Sequence, residues 1–164
     1  MADATGIDAV TAFMDEQGVG YEVVEHRTTY TAAAEARAAG VPPPDASKCV
    51  LLRDEGGYRL AVIPASERLD LHKARELFGG GKSLRLATED EMREDFPIFE
   101  VGALPALGPM LPAPEVIDRR LIEHERILFS GGDHQHGVLI DPNDLVQVTQ
   151  AQVADVCEEE SRTS

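Results

Sequence analysis

Apolar residues recur at helical spacing near the start of the chain. Ile7, Val10, Phe13 and Met14 share one face of residues 5–17, with Thr5 placed to cap the segment and Gly18 to stop it. Residues 21–26 read as a strand. Thr31 then opens an alanine-rich helix over 32–39 that Gly40 closes, and Pro42-Pro43-Pro44 forbids its continuation. Apolar runs at 48–53 and 58–63 flank Asp54-Glu55-Gly56-Gly57, the chemistry of a hairpin. Leu71, Ala74, Leu77 and Phe78 give residues 69–78 helical spacing, ended by Gly79-Gly80-Gly81. A short strand at 83–87 leads into an acidic helix at 88–95, where Thr88 and Glu91 have the spacing of a capping box.

Between residues 96 and 114, prolines and glycines interrupt every period, which predicts a long ordered loop. Such loops inside a compact domain are more often functional than idle. Strands are expected at 116–122, 126–130 and 137–140, and a final helix at 143–156 precedes an acidic tail from about residue 157. The elements do not alternate as in a doubly wound sheet, and hairpins are present. An α+β fold follows, a curved mixed β-sheet with peripheral helices.

At 164 residues the chain suits one domain, residues 1–164. An apolar fraction of 43% beside 27% charged residues is that of a globular protein and argues against disorder. Cys49 and Cys157 stand far apart, without the paired spacing of a zinc knuckle or a redox motif, which fits a reducing compartment. No basic-then-apolar leader opens the chain and no stretch is long enough to span a bilayer, so a cytoplasmic protein with no membrane partner is expected. The net charge of −15 repels polyanions at long range, yet residues 48–85 carry eight basic against five acidic side chains. An acidic shell with one basic segment can still take a nucleic-acid end.

Three places draw chemical interest. In Ala46-Ser47-Lys48-Cys49-Val50-Leu51-Leu52 a cation enters an apolar strand, at a free-energy cost unless an anion meets it or its stem reaches back to water. Strict alternation would send Cys49 to the opposite face, into the core. Gly102-Ala103-Leu104-Pro105-Ala106-Leu107-Gly108 and Gly131-Gly132-Asp133-His134-Gln135-His136-Gly137 are two loops able to present backbone N–H groups beside that lysine, making an anion or carbonyl pocket. His134 and His136 on one strand face, with His124 and Asp141, raise a metal-dependent hydrolase as one reading. Gly81-Lys82-Ser83 mimics the end of a phosphate-binding loop, but Glu76 stands where that motif needs glycine and the preceding segment is helical. No serine lies in a nucleophile elbow.

Taken together, His26-Arg27-Thr28-Thr29-Tyr30-Thr31-Ala32, Lys48 in its strand, the Gly102–Gly108 loop and Ser130-Gly131-Gly132-Asp133-His134 resemble the YbaK family, free-standing relatives of the editing domain inserted in bacterial prolyl-tRNA synthetases. The likeness runs from about His26 to the final helix. It implies a barrel-like sheet and trans-editing: hydrolysis of the ester that joins a wrong small amino acid to the 3′ end of a tRNA. Lys48 matches the family's activity-linked lysine, implied to bind the terminal phosphate or ribose and to stabilise developing negative charge. Gly102, Pro105 and Gly108 match its Gly/Pro loop, bounding the amino-acid pocket. His134, after the turn at Gly132, is implied to hold substrate or water, and His26 and Thr31 to border the substrate. The family uses no metal or other cofactor and no side-chain nucleophile; the ribose hydroxyl of the substrate helps activate water. The loop here carries more aliphatic bulk than the commoner glycine-rich version. A synthetase or elongation factor is the partner that could supply tRNA affinity to so acidic a chain. The alternative is a non-catalytic module of the same fold that binds a small carboxylate or nucleotide.

Overall fold

The structure, a computed structural model, describes residues 4–79 and 81–159. Helix α1 (Gly6–Gln17) buries Ala9, Val10 and Met14 and ends at Gly18, whose φ of 68° is the left-handed conformation that glycine accepts most readily. Strand β1 (Glu22–Glu25) precedes α2 (Ala32–Ala39), capped by Thr31, whose hydroxyl accepts the Ala34 N–H at 3.0 Å. Strands β2 (Ser47–Asp54) and β3 (Gly57–Pro64) form the expected hairpin. Helix α3 (Leu71–Phe78) is capped by Asp70 and stopped at Gly79; Gly80 of the expected stop lies outside the described residues. Strand β4 (Arg85–Leu86) and helix α4 (Glu89–Asp95) follow, and Thr88 and Glu91 make both halves of the capping box.

Two expectations need correction. The strand anticipated at 116–122 is β5 (Glu115–Asp118) followed at once by the short helix α5 (Arg119–Ile122). Asp118 forces the change. Fully buried, it accepts the Arg120 and Val156 N–H groups and the Arg120 guanidinium, so its carboxylate caps a helix where the strand would have continued. The final helix, α6 (Pro142–Thr149), stops well short of residue 156. Gln150 adopts a φ of 56°, and the chain turns into β8 (Gln152–Ala154), parallel to β5. Val156 and Cys157 are then fully buried and Leu69 bridges Cys157, so the chain is held there; of the acidic tail, residues 160–164 lie outside the description.

With β6 (Ile127–Ser130) and β7 (His136–Ile140), the strands divide into two sheets. One has the order β1-β7-β6 and is antiparallel; the other, β4-β2-β3-β5-β8, is mixed. The α+β class is as read, with two sheets in place of one, and no closed barrel forms among the described residues. A parallel bridge, Ala46 to Leu128, joins the sheets, and the Ser47 hydroxyl donates to the Leu128 carbonyl at 2.8 Å beside it. The segment 96–114 is a loop with one turn of 3₁₀ helix, and residues 103–108 are buried throughout. Leu104, Ala106, Leu107 and Leu111 belong to the same core as Leu51, Val62 and Phe129, which is why so long a loop is ordered.

Candidate active site

A cleft of about 120 Å³ opens beside the Ala46–Leu128 bridge. Lys48 of β2, Ser130 at the end of β6, Thr31 at the cap of α2, Gly102 and Leu104 of the long loop, and Met92 of α4 line it. In a parallel pairing, residues two positions beyond a bridged pair fall on one face. Lys48 and Ser130 each stand two positions beyond the bridge, so the topology alone sets them side by side. A smaller extension, reached past Thr31, Gly102 and Ser130, is lined by Glu35 and His134.

Lys48 is half-buried and makes no hydrogen bond or ion pair among the described residues. The basic segment around it does not act as a free patch: Arg53 and Arg85 pair with Glu91, Arg59 with Asp54 and Lys73 with Asp155. The unpaired ammonium at the cleft thus keeps all three donors for a ligand. Cys49 lines the cleft too and packs against the main core, so its expected removal to the opposite face is incomplete. Burial pushes its thiol well above the ordinary range, with Glu115 and Glu35 adding to the shift. A thiolate nucleophile is therefore disfavoured.

Behind the cleft lies a residue that sequence reasoning missed. Glu35, 4% exposed, receives the Ser130 hydroxyl on Oε1 at 2.9 Å and faces His26 Nε2 with Oε2 at 2.9 Å. His26 has a fully buried side chain, and its Nδ1 lies 2.7 Å from the Arg27 carbonyl. A carbonyl only accepts, so Nδ1 carries a hydrogen, and the contact between Nε2 and Oε2 must hold one further proton. Whichever atom bears it, the pair is neutral overall. Burial raises the Glu35 carboxyl, and the hydrogen bonds from His26 and Ser130 pull it back down. The sequence signal was faint: a lone Glu in Ala32-Ala33-Ala34-Glu35-Ala36, one turn past the cap.

The expected substrate-contacting residues fall into two groups. Thr31, Gly102 and His134 border the cleft or its extension. His26, Gly132, Pro105 and Gly108 do not. His26 is turned inward to Glu35. Gly132 has a φ of 93°, and a Cβ there would stand 2.9 Å from the Phe99 ring and 3.0 Å from the Gly6 carbonyl, so glycine serves close packing. Pro105 is buried in the loop. The Gly108 N–H is taken by Glu115 Oε1 at 2.6 Å and cannot reach a substrate carbonyl.

His134 sits in a turn, not on the strand that carries His136, so the two imidazoles do not share a face. Its Nε2 donates to the Val101 carbonyl at 2.9 Å, leaving Nδ1 as the acceptor of the neutral ring. His136 pairs with Asp133 and His124 with Asp45, so the suggested ligand set is dispersed. Tyr30, 73% exposed, lies at the rim with its ring 4.9 Å from that of His134.

The family model for the aminoacyl-tRNA editing domain matches residues 26–148. Among solved structures, a candidate trans-editing enzyme for prolyl-tRNA synthetase is 32% identical with a TM-score of 0.85, over 96% of this chain and 100% of its own. A protein from work on computational epitope grafting onto scaffolds is 28% identical, TM-score 0.81, over 92% of this chain and 95% of its own. A hypothetical protein is 29% identical, TM-score 0.81, over 91% and 99%.

Proposed function

This chain belongs to the aminoacyl-tRNA editing domain family, and from that premise we propose that it is a deacylase acting in trans on tRNA that carries a wrong small amino acid. Water adds to the ester carbonyl, the bond from that carbon to the ribose oxygen breaks, and the oxygen leaves as a hydroxyl. The products are the free amino acid and uncharged tRNA. One observation carries the reading: Lys48, half-buried and without a hydrogen bond or ion pair among the described residues, lines a cleft of about 120 Å³, the scale of a small amino acid.

Lys48 holds the terminal phosphate or ribose and stabilises the negative charge that grows on the carbonyl oxygen. Gly102 leaves room for the ester to pass, and Leu104 and Met92 bound the side chain. His134 offers Nδ1 to a ribose hydroxyl or to water, and the exposed Tyr30 ring offers a face for the terminal base. No serine or thiol is asked to attack; the neighbouring ribose hydroxyl of the substrate orients the water. A second sieve of this kind suits small apolar amino acids, which synthetases separate poorly.

The test is release of labelled amino acid from a panel of mischarged tRNAs. Hydrolysis of at least one small aminoacyl ester by the wild type, lost in Lys48→Ala, supports the proposal. Equal rates for both proteins across the panel would refute it.

A further inference from the structure

An aminoacyl ester carries an α-amino group that is largely protonated at neutral pH, with an ordinary pKa of about 7.7–8.0. A cleft that takes this group out of water must return hydrogen-bond acceptors to it. Lys48 cannot, since an ammonium only donates. Asp133 is committed elsewhere, to the Ile7 and Gln135 N–H groups and to the His136 ring. Ser47 lines the cleft, but its hydrogen goes to the Leu128 carbonyl, so no carboxylate is hydrogen-bonded to its hydroxyl among the described residues.

Ser130 differs. Its hydrogen is spent on Glu35, which fixes the rotor, and no group among the described residues donates to its oxygen. The lone pairs of that oxygen are therefore open at the wall of the cleft, with a buried carboxyl directly behind. We propose that Ser130, anchored on Glu35, accepts a hydrogen bond from the substrate's α-ammonium group, so that the site recognises an aminoacyl ester by its free amine. The inference rests on the ester-hydrolysing reading of the same cleft. A cation arriving beside Glu35 favours the form in which the shared proton resides on His26 and the carboxyl is charged. The cleft then has two electrostatic ends, Lys48 for the phosphate and the carbonyl oxygen, Ser130 with Glu35 for the amine. An N-acylated amino acid has no ammonium to offer and is hydrolysed more slowly.

The experiment compares hydrolysis of an aminoacyl-tRNA with that of its N-acetyl derivative by the full chain. A hydrogen bond to a charged group predicts a preference for the free amine of roughly 10- to 100-fold in kcat/KM. Ser130→Ala should bring that ratio close to one by slowing the free-amine substrate alone. Lys48→Ala should slow both substrates and leave the ratio unchanged. Glu35→Gln, which keeps an acceptor for Ser130 but removes the charge, should lower the ratio part of the way and serves if Ser130→Ala does not fold. Circular dichroism checks folding.

A wild-type ratio near one, or equal slowing of both substrates by Ser130→Ala, would overturn the inference while leaving the deacylase reading intact. Should the wild type hydrolyse no ester, the deacylase reading fails. The amine site is then decided by calorimetry with 3′-alanylamino-3′-deoxyadenosine and its N-acetyl form. Binding of the free amine alone, lost in Ser130→Ala, supports it; equal binding of both, or of neither, overturns it.

Discussion

Lys48 on β2 and Ser130 at the end of β6 each stand two residues beyond the pair, Ala46 and Leu128, that bridges the two sheets, and both line one cleft. Their side chains are of opposite use. Among the described residues Lys48 has no hydrogen-bond or ion-pair partner and offers only donors, whereas Ser130 has given its hydrogen to Glu35 and offers only acceptors.

Because the Lys48 side chain makes no hydrogen bond or ion pair among the described residues, Lys48→Ala should change stability by no more than about 0.5 kcal/mol. Its loss should still lower kcat/KM for deacylation by roughly 10²–10³, the range for removing one electrostatic stabiliser of a developing oxyanion. Thermal melts and single-turnover deacylation on one preparation measure both quantities. A large loss of stability would reassign Lys48 to a structural role.

Met92 and Leu104 both line the cleft and bound the amino-acid side chain in the proposed reading, but Leu104 is also part of the main core. Met92, at the edge, is the better handle on size. Met92→Ala should admit an amino acid one or two methylenes longer, with a gain in relative kcat/KM of roughly 10-fold per methylene. An unchanged order of preference across a series of linear side chains would show that Met92 does not set the limit.

Glu115 is buried on β5 with Oε2 unpaired among the described residues, and burial pushes its carboxyl up to about 8, against the opposing hydrogen bond from Gly108. Unfolded, it ionises near 4.5. The folded state therefore holds the extra proton between those values. The stability it confers is complete below pH 4.5 and is lost as pH rises through about 8. Glu115→Gln keeps an acceptor for the Gly108 N–H and removes the titration. Urea denaturation at a series of pH values should show the variant gaining on the wild type steadily from pH 4.5 to 8. A constant difference between the two would contradict the assignment.

Gly108 anchors the long loop. A Cβ there would stand 2.4 Å from the Ala113 carbonyl and 2.9 Å from Glu115 Oε1, so Gly108→Ala must push backbone apart. The expected cost is about 2 kcal/mol or more, within the range of overpacking. Activity should fall with it, because Gly102 and Leu104 ride on the same loop. Melts and deacylation rates measured in parallel test the link; full activity with lowered stability would show that the two ends of the loop are independent.

Much of the local structure was legible in the chain. Thr31 and Thr88 cap their helices and Gly18, Gly40 and Gly79 end them, because caps and left-handed stops depend on residues close in sequence. The hairpin β2–β3 follows from its turn. Where the reading missed, distant contacts took part: Asp118 caps α5 through Arg120 and also accepts the Val156 N–H, and β8 pairs in parallel with the edge of β5.

The same division holds for the site. The sequence by itself determined that a lysine would enter an apolar strand and that glycine-bearing loops would follow, since strand pattern and loop composition are local properties. Only the tertiary structure decided which of these residues meet. The bridge between Ala46 and Leu128 put Ser130 beside Lys48, packing turned Gly108 and His26 inward, and the fold carried Glu35 to Ser130 across 95 positions of sequence. Contacts at that separation depend on how two sheets dock, a choice made by the burial of the shared core and by no residue's own neighbours.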